Sequence, residues 1–336
     1  MSANTQHTTF SLPPRPWAVV LAGGSGQRLA PLTRALYGRP LPKQFCRLGC
    51  GTSLLQDTVE RLRPTVPAHR TVVVVEASRT RLARRQLGGG VTVIGQPRDR
   101  GTASGVLLPL MHVLMRDPEA TVVVTPSDHG IADRDLFRRG LEDAVAAVRT
   151  NPARIVLFGV EAGAPRTDYG WILPEGDGVP AVNGARFRPV ARFVEKPPPA
   201  EARRLHDSGA LWNTFVMVGK GVSFVNLYRR RLPETARFFE KYARLDESRR
   251  DGWLRERYDR LEPANFSHDI LESAADLAVY TWPAALAWTD LGTPERLFEW
   301  LETEGRLATV MATLKRRGAT ELIREAVPPA LAAAAP

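Results

Sequence analysis

The chain has 336 residues, of which 43% are hydrophobic, which suffices for one large core or for a core with a smaller appended unit. The formal net charge is +10, but the arginines are scattered over predicted helices with few aromatic residues between them, which favours a solvated surface over a nucleic-acid partner. No apolar run approaches the roughly 20 residues of a membrane helix, so we expect no membrane partner.

The first 16 residues lack both the basic and the apolar region of a secretion signal. We therefore predict a flexible lead-in and a cytoplasmic location. The only two cysteines, Cys46 and Cys50, have no further cysteine or histidine cluster near them in the sequence. Such a pair is weak evidence for a metal or redox site, and we assign it no chemistry.

The segment from residue 17 to residue 160 alternates between apolar strands and helical patterns. A continuous apolar run, such as that from Val72 to Val75, is typical of a parallel strand covered on both faces. The predicted strands are 17–22, 71–76, 91–94, 121–125 and 154–160, and the predicted helices are 53–62, 79–87, 103–115 and 136–148. This alternation predicts an α/β fold with a doubly wound, mostly parallel sheet.

Three polar or glycine-rich segments come directly after predicted strands. They are the glycines after residue 22, the segment that begins at Gln96, and Asp128 after the fourth strand. In a doubly wound sheet, ligands bind at the carboxyl ends of the strands. The sequence therefore predicts one shared site at this edge of the sheet.

From about residue 183 the pattern changes. We predict strands at 190–197 and 212–218, a largely helical stretch at 222–261, strand-like segments within 276–289, and a helix at 295–301. The predicted organisation is a lead-in over 1–16, one domain over 17–305, and a C-terminal helix with a loose, low-complexity tail over 306–336.

The most informative stretch is a glycine loop, formed by Gly23, Gly24, Ser25 and Gly26 after the first strand. Three glycines in four positions remove side chains that would keep a ligand away, and they expose a row of backbone N–H groups. Arg28 and, after several prolines, Lys43 add a guanidinium and an ammonium group. Together these groups suit a triphosphate.

Two common nucleotide-binding loops are excluded at this position. A Walker A loop ends in Lys-Ser or Lys-Thr, whereas Gly26 is followed by Gln27 and Arg28. A dinucleotide fingerprint needs a sixth-position glycine, where Leu29 stands. A plain glycine turn between strand and loop is the structural alternative.

The pattern LAGGSGQRL-x-PLT at 21–33, followed by PKQF at 42–45, closely resembles the signature of sugar-1-phosphate nucleotidylyltransferases. PKQF and the segment from Pro126 to His129 are most similar to the mannose-1-phosphate guanylyltransferase branch. The resemblance implies a Rossmann-like nucleotidyltransferase fold with a sugar-binding part at about 165–293. It also implies nucleotidyl transfer from a nucleoside triphosphate, GTP being favoured, to a sugar-1-phosphate, mannose-1-phosphate being favoured.

The resemblance also implies catalytic roles for five charged residues. Arg28 and Lys43 would hold the triphosphate, and Lys196 would neutralise the sugar phosphate. Asp128 and Asp290, the latter in a segment similar to the family's W-x-D-x-G, would hold Mg²⁺. A turn aspartate and a helix-capping aspartate are the alternatives for these two carboxylates.

Further residues are assigned to the base and the sugar by the same resemblance. The glycine loop and the backbone of Ala22 would contact the nucleotide, with Gln96 and Gly101 against the base. Tyr169 and Gly170 match T-x-Y-G-x-I, and Glu195 would accept hydrogen bonds from sugar hydroxyls. The alternative for Gln96 and Gly101 is a plain strand-to-helix connection, and the alternative for Gly170 is a glycine turn. For Glu195 and Lys196 it is an ordinary surface pair.

One departure from the family pattern concerns the sugar. The family usually reads W-N-S-G, whereas Trp212, Asn213 and Thr214 are followed by Phe215. Asn213 remains a candidate sugar contact, but the missing glycine affects one wall of the site. This departure bears on the identity of the sugar more than on the reaction.

The sequence leaves several alternatives open. The base is not deduced from a donor and acceptor pattern, so a thymidylyl- or uridylyltransferase acting on glucose-1-phosphate is the alternative enzyme. A non-catalytic relative that binds nucleotide-sugars is another, and the positive charge alone keeps a nucleic-acid-binding protein in view. A homodimer is compatible with the sequence, which does not define the oligomeric state.

Overall fold

The computed structural model describes residues 15–180 and 186–319. Most of the predicted lead-in and most of the predicted tail lie outside these residues. The described residues form a ten-stranded sheet with α-helices on both faces.

The strands are β1 (Trp17–Ala22), β2 (Thr71–Glu76), β3 (Thr92–Gln96), β4 (Thr121–Pro126), β5 (Ile155–Glu161), β6 (Gly170–Pro174), β7 (Val179–Pro180), β8 (Arg186–Glu195), β9 (Leu211–Lys220) and β10 (Leu277–Trp282). The helices are α1 (Ala30–Tyr37), α2 (Leu54–Leu62), α3 (Thr80–Leu87), α4 (Gly101–Leu114), α5 (Arg134–Thr150), α6 (Pro199–Asp207), α7 (Gly221–Arg231), α8 (Pro233–Ala243), α9 (Glu247–Arg257), α10 (Pro294–Thr303) and α11 (Leu307–Arg316). Among the described residues, no helix has the length and apolar character needed to cross a bilayer.

The sheet order is β3-β2-β1-β4-β9-β5-β10-β8-β6, with β7 paired to β8. The four strands at its N-terminal side are parallel to one another. Strand β9 lies antiparallel between β4 and β5, and β8 lies antiparallel between β10 and β6, whereas the remaining strands share one direction. The predicted α/β fold is confirmed, and reversed strands are inserted only in the C-terminal half of the described sheet.

Burial on both faces explains the continuous apolar strands. In β2, Val72 and Val74 contribute to the core beneath α4 and α7 to α9, whereas Val73 and Val75 contribute to the core beneath α1, α2, α5, α10 and α11. Successive side chains of a strand point to opposite faces, so both faces of this strand require apolar residues. The two cores hold the carboxyl ends of the central strands in one fixed row.

The strand-like prediction for residues 276–289 is correct only in its first part. Strand β10 ends at Trp282, and Pro283 has no N–H group with which to continue the ladder. A short 3₁₀ turn, Ala284–Leu286, follows, and Ala287 adopts a left-handed conformation with φ 49°. The chain is thereby redirected towards the end of β4, where Thr289 pairs with Gly130.

The contact between α5 and β10 provides a test of the packing. A Cβ atom on Gly140 would lie 2.4 Å from Nε1 of Trp282, whose fully buried ring stacks on Phe158. We expect Gly140→Ala to lower the unfolding free energy by about 1 kcal/mol, because overpacking of about 1–3 kcal/mol exceeds the gain in helix propensity. Denaturant unfolding of the purified variant measures this change.

Gly252→Ala in α9 is the matched control, because a Cβ atom there would meet no heavy atom within 4 Å. We expect this variant to be more stable than the parent by up to about 1 kcal/mol. Equal effects of the two substitutions would contradict the packing described for Gly140.

Candidate active site

A cavity of about 360 Å³ lies at the carboxyl ends of β1, β3 and β4, between these strands and the segments around β6, β8 and β9. We call this cavity the cleft. The predicted site residues that line the cleft are Gly23, Gly24, Arg28, Gln96, Gly101, Asp128, Tyr169, Gly170, Glu195, Lys196, Asn213 and Asp290. Ala22, Ser25, Gly26 and Lys43 are not among its lining residues; Ala22 and Ser25 adjoin lining glycines in the sequence, and Lys43 contacts Asp128.

The glycine loop is held by a buried glutamine that the sequence analysis did not single out. The side-chain amide of Gln44 donates to the carbonyl oxygens of Ala22 at 2.9 Å and Gly24 at 2.8 Å. Gly26 has φ 65°, and a Cβ atom there would lie 3.1 Å from the backbone of Pro42 and Lys43. The PKQF segment therefore packs beneath the loop and determines its shape, while Ser25 is exposed.

Lys43 lies beside the cleft and contacts both of the residues predicted to ligate the metal. Its ammonium group is 3.2 Å from Oδ2 of Asp128 and donates to the backbone carbonyl of Asp290 at 2.5 Å. The side chain is 13% exposed, so the charge is mostly withdrawn from water. A cation thus lies against the carboxylate of Asp128 and the backbone of Asp290.

Asp128 and Asp290 are far apart in sequence and are joined by a short backbone bridge. The N–H of Gly130 donates to the carbonyl of Thr289 at 2.8 Å, and the N–H of Thr289 donates back at 3.0 Å. This antiparallel bridge aligns the segment after β4 with the segment before α10. Both carboxylates therefore line the same part of the cleft.

A guanidinium group that the sequence analysis missed orients Asp290. Arg296, at the start of α10, forms ion pairs with Asp290 at 3.3 Å and with Asp168 at 2.7 Å. Its guanidinium also donates to the hydroxyl of Tyr169 and lies over the Tyr169 ring, 5.0 Å from the centroid. The same Asp290 oxygen accepts from the Tyr169 hydroxyl at 3.1 Å and from the Gly292 N–H at 3.0 Å.

His129 is a neutral neighbour of Asp128. Burial lowers the pKa of its ring to about 4. Its Nδ1 accepts a hydrogen bond from the Trp288 indole at 3.2 Å, which places the proton on Nε2, 3.9 Å from Oδ1 of Asp128. At neutral pH the ring therefore adds a dipole, but no charge, beside the carboxylate.

The far wall of the cleft is built where β6 pairs with β8. Gly170 pairs with Glu195, and a Cβ atom on Gly170 would lie 2.7 Å from Oε2 of Glu195, so glycine allows the carboxylate to approach. Burial raises the pKa of Glu195, which lies 3.6 Å from the Lys196 ammonium. The side chains of Lys196 and Arg28 are both largely exposed, and the Arg28 guanidinium lies 3.9 Å from the Asp168 carboxylate.

The segment after β3 forms a further wall. Helix α4 begins at Gly101, two residues earlier than predicted, and Gly101 has φ 77°. A Cβ atom there would lie 2.2 Å from the carbonyl oxygen of Ala264, so no other residue fits without displacing that backbone. Buried Gln96 donates to the carbonyl of Arg98 at 2.7 Å and so stabilises the turn before the helix.

The chemistry of Asp128 and Asp290 fits a hard divalent cation. Within the described residues, no group of three or more His, Cys, Asp and Glu side chains forms a complete metal cage. Mg²⁺ is usually held by one or two protein carboxylates, with water and substrate phosphates completing its shell. The Lys43 ammonium beside Asp128 and the Arg296 guanidinium beside Asp290 show that each carboxylate already accommodates positive charge.

A cleft at the carboxyl edge of such a sheet, with a glycine loop, several cations and two carboxylates, defines an α/β protein of the nucleotide-binding class. The sequence model of the family described as "Nucleotidyl transferase" matches residues 17–305. The chain belongs to this family, and the resemblance inferred from its motifs is confirmed.

Among curated proteins, xanthan biosynthesis protein XanB of Xanthomonas campestris pv. campestris (strain B100) is 31% identical over 303 residues, which cover 86% of this chain and 60% of XanB. Mannose-1-phosphate guanylyltransferase ManC of Salmonella typhimurium is 30% identical, over 84% of this chain and 59% of ManC. The chain thus spans about three fifths of the length of these relatives.

Solved structures agree with this assignment. A structure from Thermus thermophilus, titled mannose-1-phosphate geranyltransferase, superposes with a TM-score of 0.73 at 30% identity, over 85% of this chain and 79% of that chain. The inositol-1-phosphate CTP transferase from T. maritima has a TM-score of 0.53 at 19% identity, over 90% of this chain and 96% of that chain. The second likeness concerns the fold alone.

The ion pair between Arg296 and Asp290 leads to a prediction about the unfolding free energy. The side chains of Arg296 and Asp290 are 11% and 15% exposed, so Arg296→Met leaves a mostly buried carboxylate without its guanidinium partner. We expect a loss of about 3 kcal/mol in unfolding free energy, at the lower end of the range for breaking a buried pair. Chemical denaturation measures it.

Arg63→Met provides the comparison, since Arg63 pairs with Glu60 on the exposed side of α2. This variant should lose at most about 1 kcal/mol. A cost at Arg296 no larger than that at Arg63 would show that the guanidinium contributes little to holding Asp290.

Proposed function

We propose that this protein transfers a nucleotidyl group from a nucleoside triphosphate to a sugar-1-phosphate. An oxygen of the sugar phosphate attacks the α-phosphorus, a new P–O bond forms, and the bond to the β-phosphate breaks to release pyrophosphate. The observation that supports this most strongly is the convergence of Asp128, Asp290 and Lys43 beside a cleft that Arg28 and Lys196 also line.

The main barrier to this reaction is the meeting of two polyanions, so positioning and charge neutralisation are the tasks of the protein. Exposed Arg28, next to the glycine loop, would hold the pyrophosphate end of the triphosphate. Lys196, beside Glu195, would hold the phosphate of the sugar. The incoming phosphate is already an anionic nucleophile and requires no covalent intermediate with the protein.

Asp128 and Asp290 would hold Mg²⁺, which neutralises phosphate charge when bound. Lys43 joins the two residues through an ion pair with the Asp128 carboxylate and a hydrogen bond to the backbone carbonyl of Asp290. It would also contribute its ammonium to the triphosphate. Tyr169 and Arg296 keep Asp290 in one orientation through their contacts with Oδ1.

The remaining walls of the cleft would bind the two organic parts of the substrates. Glu195 and Asn213, with the open backbone at Gly170, would contact sugar hydroxyls. Gln96 and Gly101 would lie against the base, and the loop glycines leave room for the backbone to approach the nucleotide.

GTP and mannose-1-phosphate are the substrates that we propose, on the PKQF segment and on the similarity to the relative named mannose-1-phosphate guanylyltransferase. A uridylyl- or thymidylyltransferase acting on glucose-1-phosphate is the alternative enzyme. Release of pyrophosphate, measured with four nucleoside triphosphates against several sugar-1-phosphates, distinguishes them.

The same assay tests whether the protein is a catalyst. We expect release with GTP and mannose-1-phosphate in the presence of Mg²⁺. Binding of nucleotide-sugars without release from any pair would instead indicate a non-catalytic relative, and the proposed reaction would be rejected.

Asp128→Asn tests the catalytic assignment directly. Since the substitution removes one negative charge and keeps the side-chain shape, we expect turnover to fall about 10²- to 10³-fold, as for other preorganised electrostatic groups. Steady-state pyrophosphate release measures the effect, and circular dichroism verifies the fold.

Asp117→Asn is the matched control. Its side chain is 25% exposed, against 24% for Asp128, and it pairs with Arg70 and Trp17 outside the cleft. Turnover of this variant should match the parent. Near-normal turnover in folded Asp128→Asn would refute the role given to Asp128.

A further inference from the structure

Phe215 has an unusual backbone conformation in the middle of β9. Its φ is 58°, in the left-handed region that large side chains rarely adopt. Lys196, which lines the cleft, and Leu291, which follows Asp290, share this conformation. Strained residues of this kind persist at binding sites, where the surrounding structure enforces them.

Two buried polar side chains enforce the conformation at Phe215. Oδ1 of Asn213 accepts a hydrogen bond from the Phe215 N–H at 3.1 Å. The Thr214 hydroxyl donates to the carbonyl of Phe158 at 2.7 Å and accepts from the Val216 N–H at 3.3 Å. The pairing of β9 with β5 shifts register at this point, between Leu157 and Gly159. The strand is therefore kinked, and the ring of Phe215 becomes part of the cleft wall.

The Phe215 ring is backed by fixed aromatic side chains. It lies 6.0 Å from the ring of Phe266, which in turn lies 5.8 Å from the ring of Tyr228. The N–H of Phe266 donates to the Thr102 hydroxyl at 2.8 Å, and the Tyr228 hydroxyl donates to the carbonyl of Ala103 at 2.6 Å. Because these partners are buried and anchored to the start of α4, the ring cannot readily move aside.

Phe215 lies beside the predicted sugar contacts. Asn213 precedes it by two residues, and the Cβ of Asn213 and Oε2 of Glu195 both lie within 3.4 Å of the Cβ position at Gly170. Phe215 lines the same cleft as Asn213 and Glu195, but its ring offers no hydrogen bond. A sugar hydroxyl that faces it loses water without gaining a partner, whereas a deoxy carbon loses nothing and packs against the ring.

We propose that Phe215 determines sugar specificity, and that, within the mannose-1-phosphate class proposed above, it favours a sugar with a deoxy carbon at the position that faces the Phe215 ring. This inference depends on the nucleotidyl transfer proposed above. One mismatched group in an apolar site changes kcat/KM by about 10- to 200-fold, which sets the size of the effect.

The test compares mannose-1-phosphate with its 2-, 3-, 4- and 6-deoxy analogues, using GTP and pyrophosphate release. In the parent protein, one deoxy analogue should be used about tenfold better in kcat/KM than mannose-1-phosphate itself. In Phe215→Ala and Phe215→Gly this preference should disappear, while the KM for GTP stays unchanged.

The two variants separate the ring from the backbone. Phe215→Gly removes the ring and relieves the left-handed strain, whereas Phe215→Ala removes the ring and keeps the strain. Loss of preference in both variants supports the role of the ring, and loss in Phe215→Gly alone contradicts it. Phe238→Ala is the control, because Phe238 is a half-buried phenylalanine whose ring is tilted against that of Trp253, 4.7 Å away, outside the cleft.

Calorimetric binding of the same sugar phosphates separates this inference from the proposed reaction, since binding requires no turnover. If the parent binds them without releasing pyrophosphate, the transfer reaction is rejected and the ratio of binding constants decides the role of Phe215. Equal ratios in the parent and both variants, an equal change in Phe238→Ala, or no binding of any sugar phosphate would overturn the proposal.

Discussion

The contact of the Lys43 ammonium with Asp128 and with the backbone of Asp290 is the interaction on which the cleft depends. Two carboxylates at one edge of a sheet repel each other, and repulsion of this kind either separates the groups or favours their protonation. Lys43 offsets the charge of Asp128 and is hydrogen-bonded to the backbone of Asp290, while Arg296 offsets the charge of the Asp290 carboxylate. Lys43 reaches this position because PKQF packs beneath the glycine loop, where Gln44 joins that loop through two hydrogen bonds. The loop and the carboxylates are thus parts of one unit.

The sequence allowed the central strands and the edge of the sheet to be predicted, because those features follow from local periodicity. The apolar run of β2 requires burial on two faces, and the glycines after β1 require an open turn. The pairing of Asp128 with Asp290 was inferred only by resemblance. It depends on the bridge between Gly130 and Thr289, and a contact between such distant residues cannot be predicted from the local periodicity of the sequence.

The roles of Arg296, Asp168 and Gln44 could not be predicted from the sequence for a related reason. An arginine in the first turn of a helix is ordinary surface chemistry by itself, and it acquires a role only when the turn before α10 brings it to Tyr169 and Asp290. The apolar composition of residues 283–289 was interpreted as strand-like, but Pro283 and the left-handed Ala287 redirect the chain. At Phe215, the substitution for glycine was visible in the sequence, whereas the kink that brings its ring into the cleft depends on the register of β5.

The backbone around the cleft departs from the conformations that its residues prefer. Lys196, Phe215 and Leu291 are left-handed without being glycine, at a cost of roughly 1–2 kcal/mol each, while Gly101 and Gly170 occupy places where any Cβ atom would collide. Hydrogen bonds such as that from the Phe215 N–H to Asn213 hold these backbone conformations, but the free energy that offsets their strain must come from other interactions. Among the described residues, the two apolar cores on either side of the sheet are the only large source of stabilising free energy. Strain of this kind is retained because a rigid, irregular wall can distinguish between ligands that a relaxed strand would accept equally.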